Sequence, residues 1–334
     1  MGCVSSKHSD TASHVSHARA EYHVDSSADH AGPYMPGPSS SPIDSYQQGL
    51  IGAARWPDDA PGLNISNKSH TPENTAYCRG MYNAIRQGGQ LIAQGRISSF
   101  AALWQHATQW RVSSLGSSDS HGHAFASERV DGTRFVTVLK NPYQSVRERV
   151  FNHDGACHEV FSHEYIGDIG VRTYRQYGSI DGTTIPMTTI STVADPAALT
   201  RCMRQLRESV GRKEADRLLK SVHPDRIEHT NACYLPMIKH HLNALFSQAT
   251  DPSLCRTEVI DLVARIHWWA ASAAPDQRGS AAKAEFVARS VACAHGIELS
   301  PFKHGKVPDI EAMLMSEAEF VSHYRSLLEY EPHY

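Results

Sequence analysis

The sequence lacks a long apolar run, a paired-cysteine motif and a surplus of basic charge. No stretch of the 334 residues approaches the roughly 18 apolar residues of a membrane-spanning helix. The N-terminal residues also lack the apolar core that is typical of a secretory signal peptide. The seven cysteines form no CxxC pair, which argues against a disulfide framework or a structural zinc site. The net charge of −3 argues against a bulk electrostatic field for nucleic acid.

The common phosphate-binding and zinc-protease motifs are also missing. Neither GxxxxGK[ST] nor GxGxxG occurs. The histidine-rich segment 153–164 contains no HExxH, because His158 and His163 are five residues apart and would point about 140° away from each other on a helix. We interpret this segment as solvated surface.

The first seven residues, Met1–Lys7, fit a pattern for N-terminal acylation. Gly2 would be exposed after removal of Met1, Ser6 supplies the required hydroxyl, and Cys3 is placed for palmitoylation. A second acyl chain matters because one myristoyl group binds membranes only reversibly. The Ser-, His- and Pro-rich composition that follows is typical of a disordered tail. We therefore predict an acylated tail over residues 1–45 and a folded domain over 46–334.

Helical periodicity dominates the folded part. Thr71-Pro72-Glu73 is typical of a helix start, and the apolar stripe behind it is predicted to stop at Gly88-Gly89. Further helices are predicted after Ser98 or Ser99, after Asp195, over 230–248, 253–272 and 280–295, and after the capping box at Ser316–Glu319.

A β-rich segment interrupts the helices. Strands are predicted at Phe135–Leu139, Ile169–Tyr177 and Thr183–Thr192, and the last two form a hairpin across Asp181-Gly182. The sequence thus predicts an α+β, predominantly helical fold with a smaller β-containing lobe at about 130–195.

Two loops are candidate sites. Arg278 lies in the polar loop Asp276–Ser280 before a helix N-terminus, and arginine and helix N-termini both bind anions, although an exposed loop arginine is the alternative. The segment Ser300–Pro308 resembles a degraded Fic signature, HPFx[DE]GNGR. Ser300 replaces the histidine that acts as the base and His304 replaces the acid, so ordinary nucleotidyl transfer is not expected.

The dipeptide Trp268-Trp269 allows two readings. Adjacent helical residues face different directions, so one tryptophan could line a cleft, whereas core packing is the alternative because aromatic residues dominate buried surface.

Several stretches together closely resemble the AvrB family of type III effectors, which plant-pathogenic bacteria inject into host cells. They are Met1–Lys7, Gly49–Asp59, Thr71–Asn74, His267–Phe286 and Asp309–Leu314. The resemblance covers the acylation motif and nearly everything from 44 to 330, but not residues 8–43. It implies a two-lobed, mainly helical body related to Fic (Fido) proteins.

The resemblance also implies a function. Family members act at the cytoplasmic face of the host plasma membrane, through an acyl anchor. They engage a membrane-tethered plant immune regulator with nitrate-induced-domain motifs and a host receptor-like cytoplasmic kinase. The implied activity transfers rhamnose from UDP- or dTDP-rhamnose to a threonine of that regulator. A non-catalytic or nucleotidyl-transferring Fic-like module that binds nucleotide and host immune proteins is the alternative.

The family's cleft residues carry over where the surrounding motifs match. The resemblance implies Asp309, His229 and Arg278 as catalytic residues, Arg278, His229, Tyr77 and Tyr143 as nucleotide-binding residues, and Thr137 and Arg278 as substrate contacts. Either Asp309 or His229 could accept the threonine proton, and that choice stays open.

Two further expectations concern the donor. No DxD-like motif is evident, so we expect chemistry without a metal ion. Lys220 and Ser221 depart from the family pattern where polar cleft residues are expected, which leaves the donor sugar open.

Overall fold

The computed structural model describes residues 43–56, 71–115, 122–130, 135–139 and 143–330. Within these ranges the helices are α1 (Ser45–Gln48), α2 (Pro72–Ala93), α3 (Phe100–Ser113), α4 (Gly122–Ala126), α5 (Gln144–Phe151), α6 (Pro196–Val210), α7 (Arg212–Val222), α8 (Leu235–Ala249), α9 (Arg256–Ala273), α10 (Ser280–Ala294), α11 (Pro308–Met313) and α12 (Glu317–Leu327). The strands are β1 (Val136–Val138), β2 (Cys157–His163), β3 (Gly167–Ile180), β4 (Thr183–Val193) and β5 (Arg226–Glu228). The predicted α+β, predominantly helical fold is confirmed. In the part of the chain so described, no helix combines the length and apolar character needed to cross a membrane.

Helix α9 lies at the centre of the helical core. It packs against α8, α10, α11 and α12, and its second half is buried on every side. Trp268 and Trp269 are both fully buried, so both take the core role rather than lining a cleft. The Trp268 indole N–H donates to the carbonyl of Met315 at 3.0 Å, which satisfies its polar atom inside the core.

Helix α2 corrects one predicted boundary. It continues through Gly88 and Gly89 to Ala93 instead of ending at the glycines. A Cβ atom on Gly88 would lie 2.8 Å from the Ser290 hydroxyl, and one on Gly89 would lie 2.8 Å from the Cys293 sulfur. The two glycines therefore let α2 and α10 approach closely, a role that one-dimensional patterns do not separate from a helix stop.

The antiparallel sheet has the order β1-β5-β4-β3-β2. The predicted hairpin is confirmed, with positive φ angles of 49° at Asp181 and 78° at Gly182 in its two-residue turn. The sheet extends beyond the predicted range because β5, at Arg226–Glu228, inserts between β1 and β4. One face of the sheet packs against α5 and α11, and the other face packs against α6 and α7.

The structure adds detail to two further sequence interpretations. The folded body includes residues before 46, because the Ile43 side chain is buried and its backbone N–H donates to Glu298 at 3.1 Å. Within the segment 153–164, which lies largely at the surface, residues Cys157–His163 form the edge strand β2, whose exposed and partly buried side chains alternate. The predicted disordered tail and the acylation residues Gly2 and Cys3 lie outside the described residues.

Candidate functional site

The first part of the candidate site lies where β1 pairs with β5. The Nε2 atom of His229 is 3.1 Å from the hydroxyl oxygen of Thr137, and the His229 ring packs against Phe135 at 5.0 Å between centroids. Burial, together with the charge of the nearby Arg129, lowers the pKa of His229 to about 3. The ring is therefore neutral near pH 7. Its buried Nδ1 atom has no hydrogen-bond partner in the described structure.

Arg129 holds this corner of the site together, although the sequence offered no signal for it. Its buried guanidinium donates to the carbonyl oxygens of Ala273, Ala274 and Thr230 at 2.6, 2.7 and 2.8 Å. The side chain therefore joins the end of α9, which leads into the Arg278 loop, to the residue that follows His229.

The Arg278 loop is anchored by a buried charge pair. Lys283 forms an ion pair with Asp276 and donates to the carbonyl of Phe125 at 2.9 Å, while the Trp104 indole N–H donates to Asp276 at 2.9 Å. Burial raises the pKa of Asp276 and lowers that of Lys283, and their mutual attraction opposes both shifts. Arg278 itself is exposed and has no hydrogen bond or ion pair to another described residue.

Tyr77 lies next to this loop through an aromatic and cationic contact. The Arg111 guanidinium lies over the Tyr77 ring at 5.3 Å and over the Phe125 ring at 4.4 Å. Phe125 in turn lies against Gly279, where an added Cβ atom would be 2.6 Å from the ring. Burial raises the pKa of Tyr77 to about 12, so its hydroxyl stays protonated at physiological pH.

Asp309 and Tyr143 form the third part of the site. Asp309 follows Pro308 in the first turn of α11, as predicted, and burial raises its pKa to about 6 even though hydrogen bonds from its own backbone N–H and that of Ile310 lower it. Tyr143 lies close enough for the Asp309 charge to raise its pKa further after burial, to about 12. The Glu285 charge, which is itself paired with Arg289, makes a smaller contribution that raises the pKa of both Asp309 and Tyr77.

The degraded Fic loop has a structural role at its first position. The buried Ser300 hydroxyl donates to the Tyr330 carbonyl at 2.9 Å and accepts from the Tyr330 N–H at 3.0 Å. Both hydrogen-bonding functions are thus satisfied by backbone. Nearby, the buried Glu311 accepts two hydrogen bonds from Arg149 at 2.8 and 2.9 Å.

The structure thus brings Thr137 and His229 into direct contact and places Asp309 within electrostatic range of Tyr143. Tyr77 and the Arg278 loop connect through Arg111 and Phe125. Signals for the connecting residues were weak: Lys283, Glu285 and Arg289 are charges within a mostly apolar helix, a pattern that indicates buried charges with partners. The side chains of Lys220 and Ser221 lie outside the described structure.

The described residues include no group of three or more His, Cys, Asp or Glu side chains that could hold a metal ion. The expectation of metal-independent chemistry stays a prediction.

Comparison with known proteins gives two further findings. A family model for avirulence proteins, AvrB/AvrC, matches residues 1–331. The chain is also 49% identical over 329 residues to avirulence protein B of Pseudomonas savastanoi pv. glycinea, with 98% of this chain and 99% of that protein covered. The likeness therefore includes the candidate site as well as the N-terminal motif.

Proposed function

Since this chain belongs to the AvrB/AvrC family of avirulence proteins, we propose that it is a type III secreted effector with protein O-glycosyltransferase activity. The proposed reaction moves rhamnose from UDP- or dTDP-rhamnose to a threonine of a plant immune regulator. That regulator is membrane-tethered and bears nitrate-induced-domain motifs, and a host receptor-like cytoplasmic kinase is a further proposed partner. The proposed place of action is the cytoplasmic face of the host plasma membrane, through acylation at Gly2 and Cys3.

The observation that carries this proposal is the grouping of unlike polar groups. The candidate residues comprise an exposed arginine, a neutral histidine beside a threonine hydroxyl, a carboxylate with a raised pKa and two part-buried tyrosines. A glycosyl transfer needs one group to accept a proton, polar groups around the sugar and positive charge for the leaving diphosphate.

Asp309 is the better candidate for the base. In the proposed step the acceptor hydroxyl oxygen bonds to the anomeric carbon, the bond from that carbon to the phosphate oxygen breaks, and the diphosphate leaves with the electron pair. A base with a pKa of about 6 is largely ionised at pH 7 and still basic enough to accept the acceptor's proton. His229, with a pKa of about 3, is a much weaker base, so we assign it a hydrogen-bonding role.

Arg278 is the proposed contact for the leaving diphosphate. Its exposed guanidinium has no competing partner in the described structure, and the N-terminus of the fifteen-residue helix α10 follows it directly. Guanidinium and helix N-terminus would together stabilise the negative charge that develops on the leaving group. The anchored loop, held by Asp276 and Lys283, keeps that arrangement in place before the donor arrives.

The Ser300 geometry bears on the alternative function. A Fic-like nucleotidyl transfer needs a base at this position, and here a serine hydroxyl is already satisfied by the Tyr330 backbone. This observation disfavours nucleotidyl transfer and leaves a non-catalytic binding module as the competing proposal.

Intact-mass spectrometry of the regulator separates the two classes. After incubation with the purified protein and dTDP- or UDP-rhamnose, the glycosyltransferase proposal predicts a deoxyhexose adduct on a threonine. A stable complex with unmodified regulator supports the binding module, and a nucleotide monophosphate adduct supports nucleotidyl transfer. Either of the last two results contradicts the proposal.

A further inference from the structure

Helices α6 and α7 form a hairpin, Pro196–Val222, that covers one face of the sheet. Its apolar side consists of Leu199, Leu206, Ala215, Leu218 and Leu219, which pack on sheet residues that include Ile169, Val171 and Val193. The hairpin turns at Gly211, where φ is 81°. Because the apolar side packs against the sheet, the opposite side of both helices faces away from the protein. We call this opposite side the basic surface.

The basic surface concentrates cations in a protein whose overall charge is negative. From the N-cap Asp195 to Val222 the sequence holds seven Lys and Arg residues against four carboxylates, a net charge of +3. The whole chain has a net charge of −3, so the remaining residues carry −6. Solvation of a helix face requires charge but not an excess of one sign, and such an excess creates a positive potential that attracts a partner of opposite charge.

The cations are accessible. The side chains of Arg201, Arg207, Arg212 and Arg217 are between 45% and 87% exposed. Each of these four has a carboxylate of the same segment nearby, and such exposed pairs are weak and screened by salt.

Two cations of the basic surface have no such competitor. Arg204 on α6 and Lys213 on α7 are exposed and make no hydrogen bond or ion pair with another described residue. Relative to the apolar side, their helical positions lie on the outward arcs of the two helices.

We propose that the basic surface binds the anionic headgroups of the membrane that the acylated N-terminus reaches. The inference rests on the proposed membrane action and adds an orientation to it. Thirty-nine residues lie between Cys3 and Ile43, and at about 3.5 Å per residue this connection spans at most about 140 Å. This length limits only how far the folded body can lie from the membrane. A cationic face against an anionic leaflet also fixes which side of the body faces the lipid, and a polybasic surface is the usual second signal beside an acyl chain.

Vesicle co-sedimentation of the full chain purified without acylation tests the basic surface alone. We expect the protein to sediment with phosphatidylcholine vesicles that contain about 30% phosphatidylserine at low salt, and not with phosphatidylcholine alone. Raising NaCl from about 50 to 500 mM should reduce the partition coefficient about tenfold or more, because exposed charges are then screened.

Charge reversal with a matched control identifies the surface. Arg204→Glu/Lys213→Glu should lower the partition coefficient about tenfold or more, whereas Arg79→Glu/Arg96→Glu, the same charge change on exposed residues of α2 and the turn after it, should change it less than about twofold. Circular dichroism melting of both variants checks that each is folded.

Three results would overturn this inference. The first is no sedimentation with anionic vesicles, and the second is an equal fall of the partition coefficient in the two double variants. The third is binding to soluble polyglutamate without binding to vesicles, which would assign the surface to an acidic protein. Because the assay contains no acyl chain, sugar donor or regulator, its failure leaves the proposed glycosyl transfer untouched, and a negative mass-spectrometry result leaves this inference untouched.

Discussion

Asp309 combines two properties that separate a functional carboxylate from a first-turn acid that merely favours the helix dipole. It stands in the first turn of α11, where a negative charge is worth about 0.3–1 kcal/mol, yet burial raises its pKa to about 6. A raised carboxyl pKa means that ionisation costs stability in the fold, and the cost is present above the folded pKa and absent below the unfolded value near 3.8. The fold therefore holds this anion at a cost, which is typical of functional sites.

We predict that Asp309→Asn reduces sugar transfer about 10²- to 10⁴-fold, because it removes the base. The melting temperature at pH 7 should stay the same or rise, since the partly buried charge disappears. In the wild-type protein the transfer rate should fall below about pH 6 as Asp309 becomes protonated. A variant that transfers sugar at close to the wild-type rate, or a wild-type rate that is flat from pH 5 to 8, contradicts the assignment.

Arg278 gives the second prediction at this scale. Arg278→Ala should abolish donor binding and transfer while leaving the melting temperature within about 1–2 °C, because the exposed side chain contributes no packing. Arg256→Ala, on the first turn of α9, is the control. Isothermal titration with dTDP or UDP makes the comparison. Unchanged nucleotide affinity, or a clearly lower melting temperature, would show that Arg278 is not the donor contact.

At the scale of the element, the loop Pro275–Ser280 depends on one glycine. Gly279 has φ of 77°, and a Cβ atom there would lie 2.6 Å from the Phe125 ring that supports Arg111. Gly182 in the β3–β4 turn has φ of 78° with nothing within 4 Å of an added Cβ atom. Substituting each of these two glycines by alanine distinguishes two effects. Both variants carry the backbone cost of a left-handed residue, about 1 kcal/mol, but only Gly279→Ala adds the cost of a steric clash.

We predict that Gly279→Ala destabilises the protein by about 1–3 kcal/mol more than Gly182→Ala, since only the first variant displaces an aromatic ring. Gly279→Ala should also weaken donor binding, whereas Gly182→Ala should not. Urea unfolding and nucleotide titration measure the two effects. Equal destabilisation by both variants would show that Phe125 yields without cost.

The elements also show what the sequence can and cannot predict. Helix starts were predictable because their signals are local: the side chains of Thr71, Ser99, Asp195 and Ser316 each accept a hydrogen bond from a backbone N–H within the first turn. The turn at Asp181-Gly182 is equally local.

Features that depend on distant partners were not predictable. The passage of α2 through Gly88-Gly89 depends on α10, and the role of Arg129 depends on carbonyls more than 100 residues away. For the site, the family resemblance named side chains such as Thr137 and His229, but their 3.1 Å contact follows only from the pairing of β1 with β5.

At the scale of the whole molecule, the proposed acyl anchor decides where the protein acts. We predict that Gly2→Ala moves the protein from host membranes to the cytosol, because the variant removes the myristoylation acceptor and with it the membrane residence that favours palmitoylation of Cys3. Cys3→Ser should cause a partial loss, since one acyl chain remains. Fractionation of host cells measures the distribution. Unchanged membrane association of Gly2→Ala would contradict the anchor.

The helical core itself contains an ionisable group that links stability to pH. His267 is fully buried among Phe302, Phe320 and Tyr324, and its Nδ1 atom is 3.0 Å from the Tyr324 hydroxyl. Burial, together with the Arg289 charge, lowers its pKa to about 3. Below pH 6.5 the unfolded chain therefore binds a proton that the folded chain excludes, and the free energy of unfolding falls as the pH falls.

This proton should cost about 1.4 kcal/mol of stability per pH unit, or about 2 kcal/mol between pH 6.5 and 5. We predict that the free energy of unfolding of His267→Gln, which keeps a polar partner for Tyr324, falls by about 2 kcal/mol less than that of the wild type between pH 6.5 and 5. This difference should hold whatever the stability of the variant at pH 7. His158→Gln, on the exposed edge strand β2, is the control and should show the same fall in the free energy of unfolding as the wild type. The comparison uses the change in the free energy of unfolding between two pH values. A packing defect that is the same at both pH values therefore cancels, and only the buried imidazole contributes. Equal pH dependence of the wild type and His267→Gln in urea unfolding would mean that the core admits the protonated ring.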